Sequence, residues 1–371
     1  MVFTFPGLVR IFDKEKSAMK TKAFLFITII TFLILAIPGC SWFFKKPKRE
    51  TIFDKVVTIP KELVLDVPYL PPFCDEIKDL KKGYVDVKDG KLYYEEEGQG
   101  IPMVLINGGP GGTHHVFHPY FSRIADVARV IYYDQRGTGK SSQDDAGKTY
   151  TIEQAVEDLE ELRKALNIEK WVVLGWSYGG LLAQCYALAY SSRCTGLILG
   201  ASDPQGGDPT LYTGEGPKYE RAAMFISQEE FDAWNKIKEE TQKGTLTPAQ
   251  SFYNRYLTGF WKFAFYHKPT KESVIKNAHY GCTDPAFRKT MISEIAKINL
   301  KGKFDDFKIP TLVVEGKWDV LWGDMDRVSI MRKTCPHAQI AVFEKSGHTI
   351  FADEPDKFFA LLREFLKELK K

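Results

Sequence analysis

The 371-residue sequence lacks any marked excess of charge: 51 Lys and Arg stand against 48 Asp and Glu, a net charge of +3. A nucleic-acid binder needs a basic face, usually interleaved with aromatics. No such stripe occurs, so nucleic acid is not an expected partner. The one basic run, Lys45-Lys46-Pro47-Lys48-Arg49, reads as a solvated linker suited to anionic head groups. The six cysteines (Cys40, Cys74, Cys185, Cys194, Cys282, Cys335) show no short metal-ligand spacing. With Cys40 lipidated, as expected below, five remain, an odd number that does not read as a disulfide framework. No metal and no cofactor is expected, one bridge stays open, and Cys185 reads as a buried thiol. Gly137-Thr138-Gly139-Lys140-Ser141 lacks the first glycine of a phosphate loop, since Asp134 holds that place. Nor is there an apolar run of about 20 residues, the length that spans a bilayer.

The longest such run is Ala23 to Ile37, fifteen residues behind Lys20 and Lys22. That length fits the apolar region of a secretory signal. Ile37-Pro38-Gly39-Cys40 resembles a bacterial lipobox, which predicts cleavage before Cys40 and lipidation of its thiol. Several acyl chains there anchor a protein stably where one is marginal. The alternative is a plain signal anchor or an uncut short membrane helix. Met19 is the expected start, because from it the signal has a basic head. The expected segments are a signal peptide over 1–39 and a lipidated Cys40 with its tether over 40–75. The expected location is the cell envelope, outside the cytoplasm.

What is present in strength is a globular pattern, 44% hydrophobic and 27% charged, ordinary for a packed domain. Tyr84 to Glu97 alternates around Lys88-Asp89-Gly90 and predicts a hairpin with an Asp-Gly turn. Pro102–Ile106 and Arg129–Tyr133 are apolar strands, with a short helix expected around 120–127. Thr151-Ile152-Glu153-Gln154 reads as a capping box, and Ile152, Val156, Leu159 and Leu162 then recur at helical spacing. Further strands are expected at Gly196–Leu199, Ile309–Gly316 and Gln339–Phe343, and a last helix at Pro355–Lys370. Strands alternating with helices predict a mostly parallel sheet covered on both faces. The expected core is 76–202 with 305–371. The turn-rich, then aromatic-rich helical stretch 203–304 leaves the sheet and returns, and is expected as a helical cap.

The chemistry concentrates at Trp171-Val172-Val173-Leu174-Gly175-Trp176-Ser177-Tyr178-Gly179-Gly180, a strand running into Gly-x-Ser-x-Gly and then a helix. This is the context of a nucleophile elbow, in which Ser177 projects its hydroxyl from a tight reversal. A serine hydroxyl is a weak nucleophile and needs a base, and the base an orienting acid. In the order Ser, Asp, His, Asp319 follows the strand ending at Gly316, and His348 follows the strand ending at Phe343. His267, His279 and His337 lack such a context and read as surface or cap residues. Asn107-Gly108-Gly109-Pro110-Gly111-Gly112 follows a strand where an oxyanion loop belongs.

Together with Asp134-Gln135-Arg136-Gly137, these motifs make the chain resemble the prolyl aminopeptidase (proline iminopeptidase) family of α/β-hydrolases, over about Gly83–Ser202 and Ile309 to the end. The resemblance implies Ser177 as nucleophile, His348 as base, Asp319 as its orienter, and the Gly109 and Tyr178 N–H groups as oxyanion donors. Asn107 stands where many members have His. Asp134 and Arg136 are expected to pair and brace their loop. In that family cap glutamates hold the substrate's free amino group. Glu215 and Glu220, with Trp176 beside the serine, are the candidates here. The implied activity is release of an N-terminal, proline-like residue from a short peptide through an acyl-enzyme. The alternatives are an esterase or small-amide hydrolase of the same fold, and a non-catalytic binding lipoprotein.

Overall fold

Sheet order follows from where the apolar runs can pair. In the computed structural model, which describes residues 80–118, 120–144, 146–202, 227–246, 285–319, 321 and 327–370, eight strands form one sheet. They are β1 (Lys81–Val87), β2 (Gly90–Gly98), β3 (Ile101–Ile106), β4 (Ala128–Tyr133), β5 (Trp171–Trp176), β6 (Cys194–Gly200), β7 (Thr311–Gly316) and β8 (Gln339–Phe343). Their order is β1-β2-β4-β3-β5-β6-β7-β8. The β1/β2 and β2/β4 pairs are antiparallel and every later pair is parallel. The helices are α1 (Ile152–Ala165), α2 (Tyr178–Ala189), α3 (Gln228–Gln242), α4 (Pro285–Ile295), α5 (Arg327–Thr334), α6 (Ile350–Asp353) and α7 (Pro355–Glu368). The signal segment, Cys40, the tether, Glu215, Glu220 and most of 203–304 lie outside the described residues. No described helix is long and apolar enough to cross a membrane.

The parallel strands are apolar on both sides because both sides are covered. Val104 and Ile106 of β3 enter one core with α1, α2 and α4. Met103 and Leu105 of the same strand enter a second core with Phe117, Phe121 and α7. This is period-two alternation with two dry faces. β5 lies between β3 and β6 with all six residues buried, so its end is a fixed point for whatever follows. β6 and β7 are parallel neighbours although 110 residues separate them (200 to 311). The described part of that excursion holds α3 and α4, and Phe287, Met291 and Ile295 of α4, with Leu300 and Phe304 in the turns after it, pack into the first core.

Three local expectations are corrected. The hairpin turns on Lys88-Asp89, with Asp89 at φ 59° and Gly90 already paired with Val87. Gly90 serves a different purpose: a Cβ there would stand 2.9 Å from Arg136 Nη1. The capping box is half made. Thr151 Oγ1 accepts the Gln154 N–H at 3.0 Å, but the Gln154 side chain donates to Asp158 at 2.9 Å. The helix expected around 120–127 is a 3-10 turn of five residues, Tyr120–Ile124.

Candidate active site

The ends of β3, β5 and β6 meet at Ser177. β5 ends at Trp176, and Ser177 takes φ 59°, ψ −127°, a conformation side chains rarely adopt. The reversal survives because its neighbours carry no Cβ. One on Gly175 would lie 2.2 Å from the Gly179 carbonyl oxygen, and one on Gly179 2.1 Å from that of Ile106. Ser177 N–H bonds the Gly200 carbonyl at 2.9 Å, so the end of β6 holds the elbow from the other side. Tyr178 opens α2, where the first backbone N–H groups have no acceptor within the helix. The Ser177 side chain makes no cap hydrogen bond to that helix.

The loop after β3 closes over the serine. A Cβ on Gly108 would stand 2.9 Å from Ser177 Cβ. Gly109 adopts φ +136° and Gly111 φ +104°, left-handed values that favour glycine. The Gln135 side-chain amide donates to the Asn107 carbonyl at 3.0 Å, tying this loop to the one after β4.

Asp319 and His348 arrive on loops pressed together at the end of β7. A Cβ on Gly316 would sit 2.0 Å from the Gly347 carbonyl oxygen, and Trp318 N–H bonds the Ser346 carbonyl at 2.9 Å. His348 Nδ1 and Asp319 Oδ2 are 2.7 Å apart, both residues 4% exposed. Burial pushes the Asp319 carboxyl up, but the charges on His348 and Arg327 outweigh it and hold it below the ordinary value. Trp176 joins the two halves. Its indole N–H donates to the His348 carbonyl at 2.9 Å, and its ring lies 4.9 Å from the imidazole. The residue just before the serine therefore carries the histidine loop, a positioning task. Its indole N–H is already spent on that loop.

Asp134 and Arg136 do not pair, contrary to expectation. Arg136 forks onto Asp158 of α1 (2.9 and 2.7 Å) and caps the Lys88 and Asp89 carbonyls of the hairpin turn. Asp134 instead accepts His114 Nδ1 at 2.7 Å, the His114 N–H at 3.0 Å and the Lys140 N–H at 2.9 Å. Sequence reasoning missed this histidine group. His114, His118 and Glu95 are buried, with His114 Nε2 3.5 Å and His118 Nε2 3.2 Å from the Glu95 oxygens. Among the described residues this is the set whose donor atoms come within 4.8 Å and could hold a metal. One of its histidines already answers part of that carboxylate charge. Burial lowers His114, but Asp134 and Glu95 outweigh that and raise it to about 9. Burial raises Glu95, and His114, His118 and Tyr93 bring it down well below its ordinary value. An imidazolium between two carboxylates braces the loop that follows β3. The only sequence signal was three histidines, His114, His115 and His118, just after the glycine loop.

Arg327 and Glu315 were missed as well. Glu315 lies one residue before the end of the apolar strand β7 yet is 2% exposed; a charge inside such a run signals a buried partner. Burial pushes its carboxyl up to about 7 even with Arg327 beside it. Arg327 gave no sequence signal. Cys194 and Cys335 are buried free thiols, and Cys185, expected to be buried, is only partly so.

A family model described as alpha/beta hydrolase fold matches residues 101–355. The proline iminopeptidase of Saccharolobus solfataricus is 28% identical over 311 residues, covering 78% of this chain and 94% of that protein. That of Lactobacillus helveticus is 28% identical over 303 residues, covering 78% and 99%. Among solved structures, an esterase from Exiguobacterium antarcticum superposes with TM-score 0.61 at 24% identity, covering 77% of this chain and all of that one. The proline iminopeptidase of Mycobacterium smegmatis does so with TM-score 0.60 at 22% identity, covering 78% and 98%.

Proposed function

This chain belongs to the α/β-hydrolase fold family, and from that premise we propose that it is a serine hydrolase acting through an acyl-enzyme, most readily an aminopeptidase for short peptides with an N-terminal proline-like residue. The observation that carries the reading is the 2.7 Å contact of His348 Nδ1 with buried Asp319, on a histidine loop hung from the residue preceding Ser177. In the proposed cycle Ser177 Oγ attacks the substrate carbonyl while His348 Nε2 takes its proton. The backbone N–H groups of Gly109 and Tyr178 receive the oxyanion. The tetrahedral adduct collapses, His348 returns the proton to the leaving amine, and the C–N bond breaks. Water then repeats the sequence on the ester, releasing the amino acid and free Ser177. Asp319 holds the imidazole in the tautomer that presents Nε2 to the serine.

The aminopeptidase part draws support from the proline iminopeptidases that the chain resembles over most of its length. Its test is a panel of proline anilide, other aminoacyl anilides, their N-blocked forms and short esters. Free-amine substrates are expected to exceed N-blocked ones by about 100-fold in kcat/KM, the worth of a charge-assisted bond to the amino group. Equal rates on blocked substrates would replace the aminopeptidase by an esterase or amidase. Glu215→Gln and Glu220→Gln test the proposed amine contacts, through a rise in KM for free-amine substrates only.

Lipidation at Cys40 is proposed with it, placing the enzyme at the cell envelope on a membrane anchor. Wild-type protein expressed in bacteria is expected in the detergent phase on Triton phase separation, and Cys40→Ser in the aqueous phase. Detergent partition unchanged by Cys40→Ser would point to an uncut apolar anchor.

A further inference from the structure

Behind the Asp319–His348 pair lies a buried ion chain that the proposed cycle does not use. Arg327, the first residue of α5, places Nη1 2.5 Å from Asp319 Oδ2 and Nη2 2.5 Å from Glu315 Oε2. Nη2 also donates to the Ser202 carbonyl at 3.2 Å. Asp319 Oδ2 is the oxygen that faces His348 Nδ1, while Oδ1 accepts the Leu321 N–H at 3.1 Å. Arg327 is 6% exposed, so water screens little of its field. A buried guanidinium is tolerated when fully paired, and two carboxylates pair it here. One carboxylate oxygen shared between a guanidinium and an imidazole cannot exert its whole charge on either. The fork also has reach: it spans the ends of β6 and β7 and the loop carrying Asp319.

We propose that Arg327 is a positioning residue that locks Asp319 against His348 and tempers the carboxylate's hold on the imidazole proton, with Glu315 as its counter-charge. This rests on the reading of Ser177, His348 and Asp319 given above. Without the guanidinium, Asp319 would favour the protonated imidazole more strongly, and the base would be lost at a higher pH. Glu315 answers the charge from the far side of Arg327, away from the histidine contact. The other carboxylates near this loop are Glu344, paired with Lys317 where the loop begins, Asp353, accepting the Gly347 N–H, and Glu354, accepting the Lys345 N–H and Ser346 Oγ. All three are unchanged in the variants below.

The test compares the full-length wild type with R327M, R327K and the double variant E315Q/R327M. Two readouts are used: the acid limb of kcat/KM, and the NMR titration of the low-field His348 Nδ1–H, assigned with H348N. In R327M the limb and the NMR midpoint are expected to move up by about one pH unit. Glu315, left buried without its cation, takes up a proton there, so the double variant presents the same charge to Asp319. It is expected to show the same shift with a melting temperature nearer wild type. R327K keeps the charge but loses the planar fork. Its limb stays in place while kcat falls about tenfold. A brace without electrostatic influence would lower kcat and the melting temperature and leave both limb and midpoint unmoved in R327M and in the double variant; that result overturns the proposal. Failure of the hydrolase reading is distinct, because it removes Ser177-dependent turnover while the NMR titration still reports on Arg327.

Discussion

Ser177→Ala is expected to lower kcat/KM by a factor on the order of 10⁴ to 10⁶, the range for loss of a serine nucleophile, with the fold left standing. The second half of that expectation comes from the structure. The strained φ of 59° is imposed by Gly175, Gly179, the Gly108 loop and the bond to Gly200. Alanine keeps the Cβ and inherits the same backbone, losing only the hydroxyl. Its melting temperature should therefore stay within a few degrees of wild type, as for a substitution worth under about 1 kcal/mol. Fluorophosphonate labelling followed by mass spectrometry reads the same residue without assuming a substrate. Wild type should label on Ser177 and the variant not at all. A variant retaining a tenth of the activity would remove Ser177 from the mechanism, and an unlabelled, inactive wild type would return the chain to a non-catalytic binding role.

Gly179→Ala should do the opposite, weakening the fold and distorting the elbow on which the activity depends. The added Cβ would meet the Ile106 carbonyl oxygen at 2.1 Å and that of Asn107 at 2.7 Å. Both are backbone atoms, of β3 and of the loop leaving it, so no rotamer change relieves the overlap. Relief requires α2 to withdraw from the sheet, which opens the buried contacts of Leu181, Leu182 and Tyr186. The expected destabilisation is about 3 kcal/mol or more, at the upper end for overpacking. Denaturant titration checks it. Gly200→Ala is the control, since its Cβ would find its nearest neighbour at 3.7 Å and its φ is ordinary. Comparable stability of the two variants would show that the elbow has slack that the close approaches deny.

Much of this architecture was legible in the sequence. The strands were readable because each is a short apolar run bounded by turn residues. The order of Ser177, Asp319 and His348 could be proposed because each sits at a strand exit, and parallel strands deliver their exits to one edge. The Asp134–Arg136 pair was misjudged for a physical reason. Neighbours in a loop suggest each other by proximity, whereas a buried guanidinium takes the carboxylate that matches its fork, here Asp158, 22 positions away. Gln154 shows the same preference, leaving its own helix cap for that carboxylate.

The sequence by itself determined the alternation of strands and helices, the glycines that make the elbow, and the three side chains proposed for the chemistry. Those features are local, written in hydrophobic period and in the need for residues without a Cβ. Only the tertiary structure decided which charges share the interior. Arg327 with Glu315 and Asp319, Arg136 with Asp158, and His114 between Glu95 and Asp134 join residues from different elements. Nothing within one segment of chain announces such a partner. The low dielectric of the interior makes each partner obligatory once the segments have packed.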